Sequence, residues 1–142
     1  MPALVPSPVH WSTTGSLPAV VHAGTQFQAT LVATIDPGWH LYASQQPSGG
    51  PLPLVVSIAR EDTTELMRVN EPHARYSTDP QYGVRTAYFE QTAKFTLYLQ
   101  AAPVKNETQQ TLHMYARYQA CNDRLCLPPQ EAVVILSFRI KP

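Results

Sequence analysis

Charge is scarce in this chain. Asp, Glu, Lys and Arg make up 14% of its 142 residues, against an ordinary share of ~25%. Ten residues of each sign cancel to a net charge of zero. With no Lys/Arg surplus or cluster, the electrostatic footprint of a nucleic-acid or anionic-membrane binder is missing, and no nucleic-acid partner is expected. No apolar run approaches the ~20 residues that cross a bilayer. Met1–Pro8 has neither the basic start nor the apolar stretch of a signal peptide. The chain is therefore expected to be either a protein that stays inside the cell or the mature part of an exported one.

Catalytic and metal signatures are equally thin. There is no Gly-x-Ser-x-Gly elbow and the five histidines are scattered, so Ser/His/Asp catalysis has no support. Cysteine is limited to Cys121 and Cys126. With no second pair and no close His pair, a four-ligand zinc site lacks donors, and neither a metal nor a cofactor is expected. Helical periodicity is weak. The 14 prolines are about twice the usual ~5% share and argue against a helical fold.

What is present is a period of two. Phe27, Ala29, Leu31, Ala33 and Ile35 alternate with mostly polar residues, and Asp36-Pro37-Gly38 ends the run as a turn. Leu52, Leu54, Val56 and Ile58 repeat the pattern. So do Phe95, Leu97 and Leu99; Leu112, Met114, Ala116 and Tyr118; and Val134, Leu136, Phe138 and Ile140. Shorter candidate strands lie at 17–22, 65–70 and 85–90. Short strands between Pro/Gly-rich turns predict an all-β protein, an antiparallel sandwich of immunoglobulin-like architecture. The length fits one domain over 17–142, preceded by a loosely held arm at 1–16. Residues 43–53 read as a loop, and 71–84 as a second irregular region. Glu61, Asp62 and Glu65 read as a solvated loop face.

The two cysteines enclose Asn122-Asp123-Arg124-Leu125 and are followed by Leu127-Pro128-Pro129. They fall in the connection between two adjacent predicted strands, 111–119 and 131–140. Asn122 and Asp123 suit a turn, and Pro128-Pro129 stops regular pairing. Facing residues at the base of a hairpin meet the distance a disulfide requires. Spacing alone leaves a static staple and a working redox pair equally open. Closing a ring of about six residues removes only about 2 kcal/mol of unfolded-state entropy, which makes a purely stabilising role less economical. The C-x-x-C spacing of a helix-start redox motif is absent. Trp11, Trp39, Tyr42 and Tyr82 offer a further reading, a carbohydrate platform, although isolated strand aromatics more often pack. Asn106-Glu107-Thr108 fits a glycosylation triplet of the kind that arises by chance.

Three segments carry a resemblance. Tyr118-Gln119-Ala120-Cys121 with Cys126-Leu127-Pro128-Pro129 resembles the redox segment of the N-terminal periplasmic domain of the thiol:disulfide interchange protein DsbD family. Ile35-Asp36-Pro37-Gly38-Trp39-His40-Leu41-Tyr42 is similar to that domain's strand exit beside the cysteines. Asp79-Pro80-Gln81-Tyr82-Gly83 is similar to its cap loop. Order and spacing agree over roughly residues 20–140.

The resemblance implies an immunoglobulin-like sandwich with a Cys121–Cys126 redox pair at its edge, acting as a protein-disulfide reductase domain. It implies a periplasmic monomer, excised from a larger inner-membrane protein. Such a domain takes electrons from a membrane reductase domain and delivers them to thioredoxin-like periplasmic proteins, including those of cytochrome c biogenesis. By the same likeness Cys126 forms the mixed disulfide and Cys121 resolves it. His40 and Tyr42 flank the pair, Asp79 bears on thiol protonation, and Gln81 and Tyr82 belong to the cap. Two departures stand out: the gap between the cysteines is one residue short, and Gln81 occupies the place of an aromatic cap residue. Tyr82 and Tyr76 are then the candidate shields. A non-enzymatic sandwich with a static disulfide is the competing reading.

Overall fold

The computed structural model describes residues 7–14, 19–60 and 62–142, and these form strands without a helix. In chain order the strands are β1 (Val9–Thr13), β2 (Val20–His22), β3 (Gln26–Ile35), β4 (His40–Tyr42), β5 (Val55–Ile58) and β6 (Glu65–Asn70). They continue with β7 (Arg75–Thr78), β8 (Arg85–Phe89), β9 (Thr92–Gln100), β10 (Thr108–Tyr118), β11 (Ala120–Cys121) and β12 (Gln130–Lys141). One sheet runs β1-β3-β9-β6 and a second β2-β12-β10-β5, while a smaller third sheet runs β11-β4-β8-β7. Pairing is antiparallel except between β12 and β2, which run parallel.

The period-2 runs at 27–35, 95–99, 112–118 and 134–140 become sandwich faces, whereas the run from Leu52 is a strand only over Val55–Ile58. Phe27, Ala29, Leu31, Ala33 and Ile35 of β3 are buried, as are Phe95, Leu97 and Leu99 of β9. Leu112, Met114, Ala116 and Tyr118 of β10 answer from the other sheet with Phe138 and Ile140 of β12. The Phe27 and Phe138 rings meet at 5.1 Å across the core. Each such side chain contributes about 1.5–3 kcal/mol through the water it no longer contacts. The small sheet joins the same core through Leu41, Ala87, Phe89 and Ala120, and Phe89 meets Phe95 edge-on at 5.6 Å. The Asp36 turn forms as expected: Trp39 N–H donates to the Asp36 carbonyl at 3.1 Å. Gly38 takes φ +83° there, the left-handed position that follows proline in a type II turn.

Three expectations need correction. Residues 1–16 are not a loose arm throughout, because Val9–Thr13 pairs with β3 from Val9↔Ile35 to Thr13↔Leu31. Val9 is buried, and Trp11 packs 5.3 Å from Tyr118 and 6.0 Å from Phe95. Residues 1–6 and 15–16 of that stretch lie outside the described residues, as do 17–18 of the strand expected at 17–22. The region 71–84 is not irregular throughout, since β7 pairs with β8 along Arg75–Thr78. All four of its side chains are exposed, so this edge strand carries no hydrophobic alternation to read. Asp62 is no solvated loop residue either: its carboxylate accepts the His113 backbone N–H at 2.8 Å and lies 3.1 Å from the His113 ring. Glu61 is outside the described residues, and Glu65 is exposed.

Candidate functional site

The strand that carries the cysteines changes sheets just before them. β10 stays paired with β12 as far as Tyr118↔Gln130. After Gln119 the chain continues as β11 against β4, with Ala120 opposite Leu41 and Cys121 opposite His40. Gln119 holds the crossing point. Its carbonyl accepts Tyr42 N–H at 3.3 Å, and its side-chain oxygen accepts Leu52 N–H at 2.9 Å.

The loop between the cysteines is built around Asn122. Its N–H donates to the Leu125 carbonyl at 2.9 Å, and its Oδ1 accepts the N–H groups of Arg124 and Leu125, each at 2.9 Å. Leu127 N–H then returns to the Ala120 carbonyl at 3.0 Å. This brings Cys121 and Cys126 face to face with their Cα atoms 4.0 Å apart, joined as a disulfide. The two sulfurs are not equivalent. Cys121 is 1% exposed, whereas Cys126 is half-buried on the loop beside an exposed Leu125.

Side chains in a strand alternate between faces. Ala120, Leu41 and Phe89 stand in register across the small sheet and point into the core. Cys121, His40, Tyr42 and Tyr88 therefore share the opposite face. The His40 ring lies 4.5 Å from that of Tyr88. Its Nε2 is 3.0 Å from Glu90 Oε1, and Glu90 Oε2 is 3.6 Å from Arg75 Nη1.

The connection from β7 to β8 folds back on itself. Gly83 N–H donates to the Asp79 carbonyl at 2.8 Å, and Asp79 N–H donates to the Val84 carbonyl at 2.9 Å. Asp79, 5% exposed, ties this loop to β4. Its Oδ1 accepts the N–H groups of Gln81 at 2.7 Å and Tyr82 at 3.3 Å, and its Oδ2 accepts the hydroxyl of the fully buried Tyr42. Burial pushes the Tyr42 phenol far above the usual tyrosine range, and the hydrogen bond and charge of Asp79, with Tyr82, push it further. Tyr82 meets the Tyr42 ring edge-on at 6.1 Å.

The fold thus gathers Cys121, Cys126, His40, Tyr42, Asp79 and Tyr82 on and around the small sheet. Gln81 sits at the loop's exposed tip. Tyr76 is exposed and turned to Arg85, whose guanidinium lies 5.3 Å from its ring. The aromatic platform does not assemble, because Trp11 packs on Tyr118 and Phe95 while Tyr42 is enclosed. Tyr88, Glu90 and Arg75 are additions that sequence reasoning missed. Their place beside His40 depends on the β4–β8 and β7–β8 registers, and only the alternation of Tyr88 with Glu90 hinted at a shared face. A disulfide between one enclosed and one partly exposed cysteine on a hydrogen-bonded loop is suited to thiol–disulfide exchange.

Comparison with known proteins supports that chemistry. The family described as "Thiol:disulfide interchange protein DsbD, N-terminal" matches residues 14–137. Among solved structures, the Neisseria meningitidis DsbD N-terminal domain in the reduced form superposes with a TM-score of 0.55 at 16% identity, over 82% of this chain and 85% of that one. The N-terminal periplasmic domain of ScsB from Proteus mirabilis superposes with a TM-score of 0.58 at 12% identity, over 90% of this chain but 44% of that one. At these identities the two structures speak for the fold, which they share. A search of curated proteins finds no match.

Proposed function

This chain belongs to the family of DsbD N-terminal domains, and on that basis we propose that it relays electrons in the periplasm through the Cys121–Cys126 pair. It receives them from a membrane reductase domain and passes them to thioredoxin-like periplasmic proteins. In the dithiol form, the Cys126 thiolate attacks a partner disulfide and one partner sulfur leaves as thiolate. The Cys121 sulfur then attacks Cys126 Sγ, releases the partner as a dithiol and closes the Cys121–Cys126 bond. A donor thiolate attacking Cys126 Sγ begins the return.

The observation that carries this reading is the unequal burial of the two cysteines: Cys121 is 1% exposed, while Cys126 is only partly buried on the loop. An incoming disulfide reaches Cys126 first, and the enclosed Cys121 is positioned to resolve. His40 and Tyr42 flank the pair, while Asp79, Gln81 and Tyr82 form the cap loop. Asp79 supports the cap by anchoring it, since both carboxylate oxygens are engaged by Tyr42 and by loop amides.

A redox titration against a dithiol couple tests the proposal. An exchange module equilibrates above about −300 mV, the region below which structural disulfides lie. A bond that resists reduction beyond that point would identify a static staple and reject the relay.

A further inference from the structure

Resolution requires a thiolate to form on Cys121, in a place nearly closed to water. Burial disfavours that anion, so a proton acceptor at hand would speed the step. His40 is directly opposite Cys121 in the β11–β4 pair. Directly opposed residues of an antiparallel pair have Cβ atoms roughly 4.5–5.5 Å apart and share a face. The His40 ring is held rather than free: it stacks 4.5 Å from Tyr88, and its Nε2 is 3.0 Å from the Glu90 carboxylate. With an Nε2–H directed at that carboxylate, Nδ1 carries the lone pair, because a neutral imidazole has one donor and one acceptor nitrogen. The carboxylate behind the ring sets its tautomer and orientation.

We propose that His40, backed by Glu90, accepts the proton of the Cys121 thiol as this sulfur resolves the mixed disulfide on Cys126. The inference rests on the exchange reading above. The Cys121 S–H proton passes to His40 and the sulfur's electron pair forms the bond to Cys126 Sγ. The Cys126–partner bond breaks, and its electrons leave with the partner thiolate. The imidazolium then returns its proton to that thiolate or to solvent. Two thiols are oxidised and one partner disulfide is reduced.

The titratable and charged groups around His40 include His73, which lines one cleft with Arg75, Tyr88 and Glu90. Glu90 and Tyr88 face His40 from β8 and the chain following it. Arg75 approaches from β7 through Glu90, and Cys121 lies opposite on β11. Tyr42, two residues along β4, is bound to Asp79 and faces Tyr82.

The test is a stopped-flow reaction of the fully reduced chain with dithio-bis-nitrobenzoate, an aromatic disulfide whose leaving thiolate is coloured. The first release reports attack by Cys126 and the second reports resolution by Cys121. In His40→Ala the second phase should slow relative to the first by about a hundredfold, at the lower end of what a general base contributes. Added imidazole should restore it. The second phase of the unaltered chain should also depend on pH in a way that His40→Ala does not. Glu90→Gln should slow the second phase by a smaller factor, which keeps the inference testable if His40→Ala fails to fold. A second phase that is insensitive to both substitutions, or one that imidazole does not restore, would overturn His40 as the acceptor. An unaltered chain that gives no second release fails at the exchange reading itself and takes this inference with it.

Discussion

The Tyr42 hydroxyl, enclosed beneath the small sheet's outer face, donates to the carboxylate of Asp79, the residue that begins the loop between β7 and β8. One hydrogen bond thus joins the strand beside Cys121 to the loop expected to act as a cap. Tyr42→Phe leaves Asp79 Oδ2 without this donor in a buried place, which costs about 1–3 kcal/mol. Urea unfolding should show a lower midpoint with an unchanged slope. The loosened loop should also let a small dithiol reduce the Cys121–Cys126 bond faster. An unchanged midpoint and rate would show that the bond neither stabilises the fold nor restrains the loop.

The same phenol predicts a pH dependence. Burial and Asp79 make the folded chain hold the Tyr42 proton more tightly than the unfolded chain does. The folded state therefore binds more protons than the unfolded state above about pH 10, the ordinary tyrosine value. This contribution is fully present below that pH and declines as pH rises beyond it. Denaturation midpoints across that interval should fall more steeply for the native sequence than for Tyr42→Phe. Parallel declines would remove Tyr42 as the cause.

The proposed division of labour between the sulfurs predicts asymmetric trapping. With oxidised glutathione as probe, Cys121→Ala should accumulate a lasting adduct on Cys126, because nothing remains to resolve it. Cys126→Ala should accumulate adduct far more slowly on its enclosed Cys121. Intact-mass spectrometry reads both directly, and equal rates would reverse or erase the assignment.

Gln81 offers a test of the cap itself. If residues 79–83 screen the disulfide, Gln81→Phe adds an aromatic ring over the sulfurs and slows reduction by a small dithiol. The substitution alters a side chain at the loop's exposed tip and leaves the Asp79 hydrogen bonds, made through backbone amides, in place. An unchanged rate would locate the shield elsewhere, with Tyr82 the next position to vary.

The long strands were legible because one face of each is buried, and a period of two follows directly: β3, β9, β10 and β12 end within one residue of the Phe27–Ile35, Phe95–Leu99, Leu112–Tyr118 and Val134–Ile140 alternations, although the last three strands begin three or four residues earlier. Where burial is absent or brief, the signal fails. β7 exposes all its side chains, and β1 has only Val9 and Trp11 to announce it. The cysteines, His40 and Tyr42 were readable through local motifs. Glu90 and Arg75 were not, since nothing short of the strand registers tells which residue ends up beside His40. The engagement of both Asp79 oxygens was hidden for a similar reason: it needs Tyr42, 37 positions away, on another strand of the same small sheet.

The loop between the cysteines is held by hydrogen bonds as well as by the sulfur bridge. Asn122 closes it through three hydrogen bonds, Leu127 returns to Ala120, and Cys121 is fastened to β4 by strand pairing. These hydrogen bonds limit the chain entropy that opening so small a ring would release. In the proposed relay, a loop so held would let exchange run in either direction, with the driving force left to the potentials of the proteins it meets.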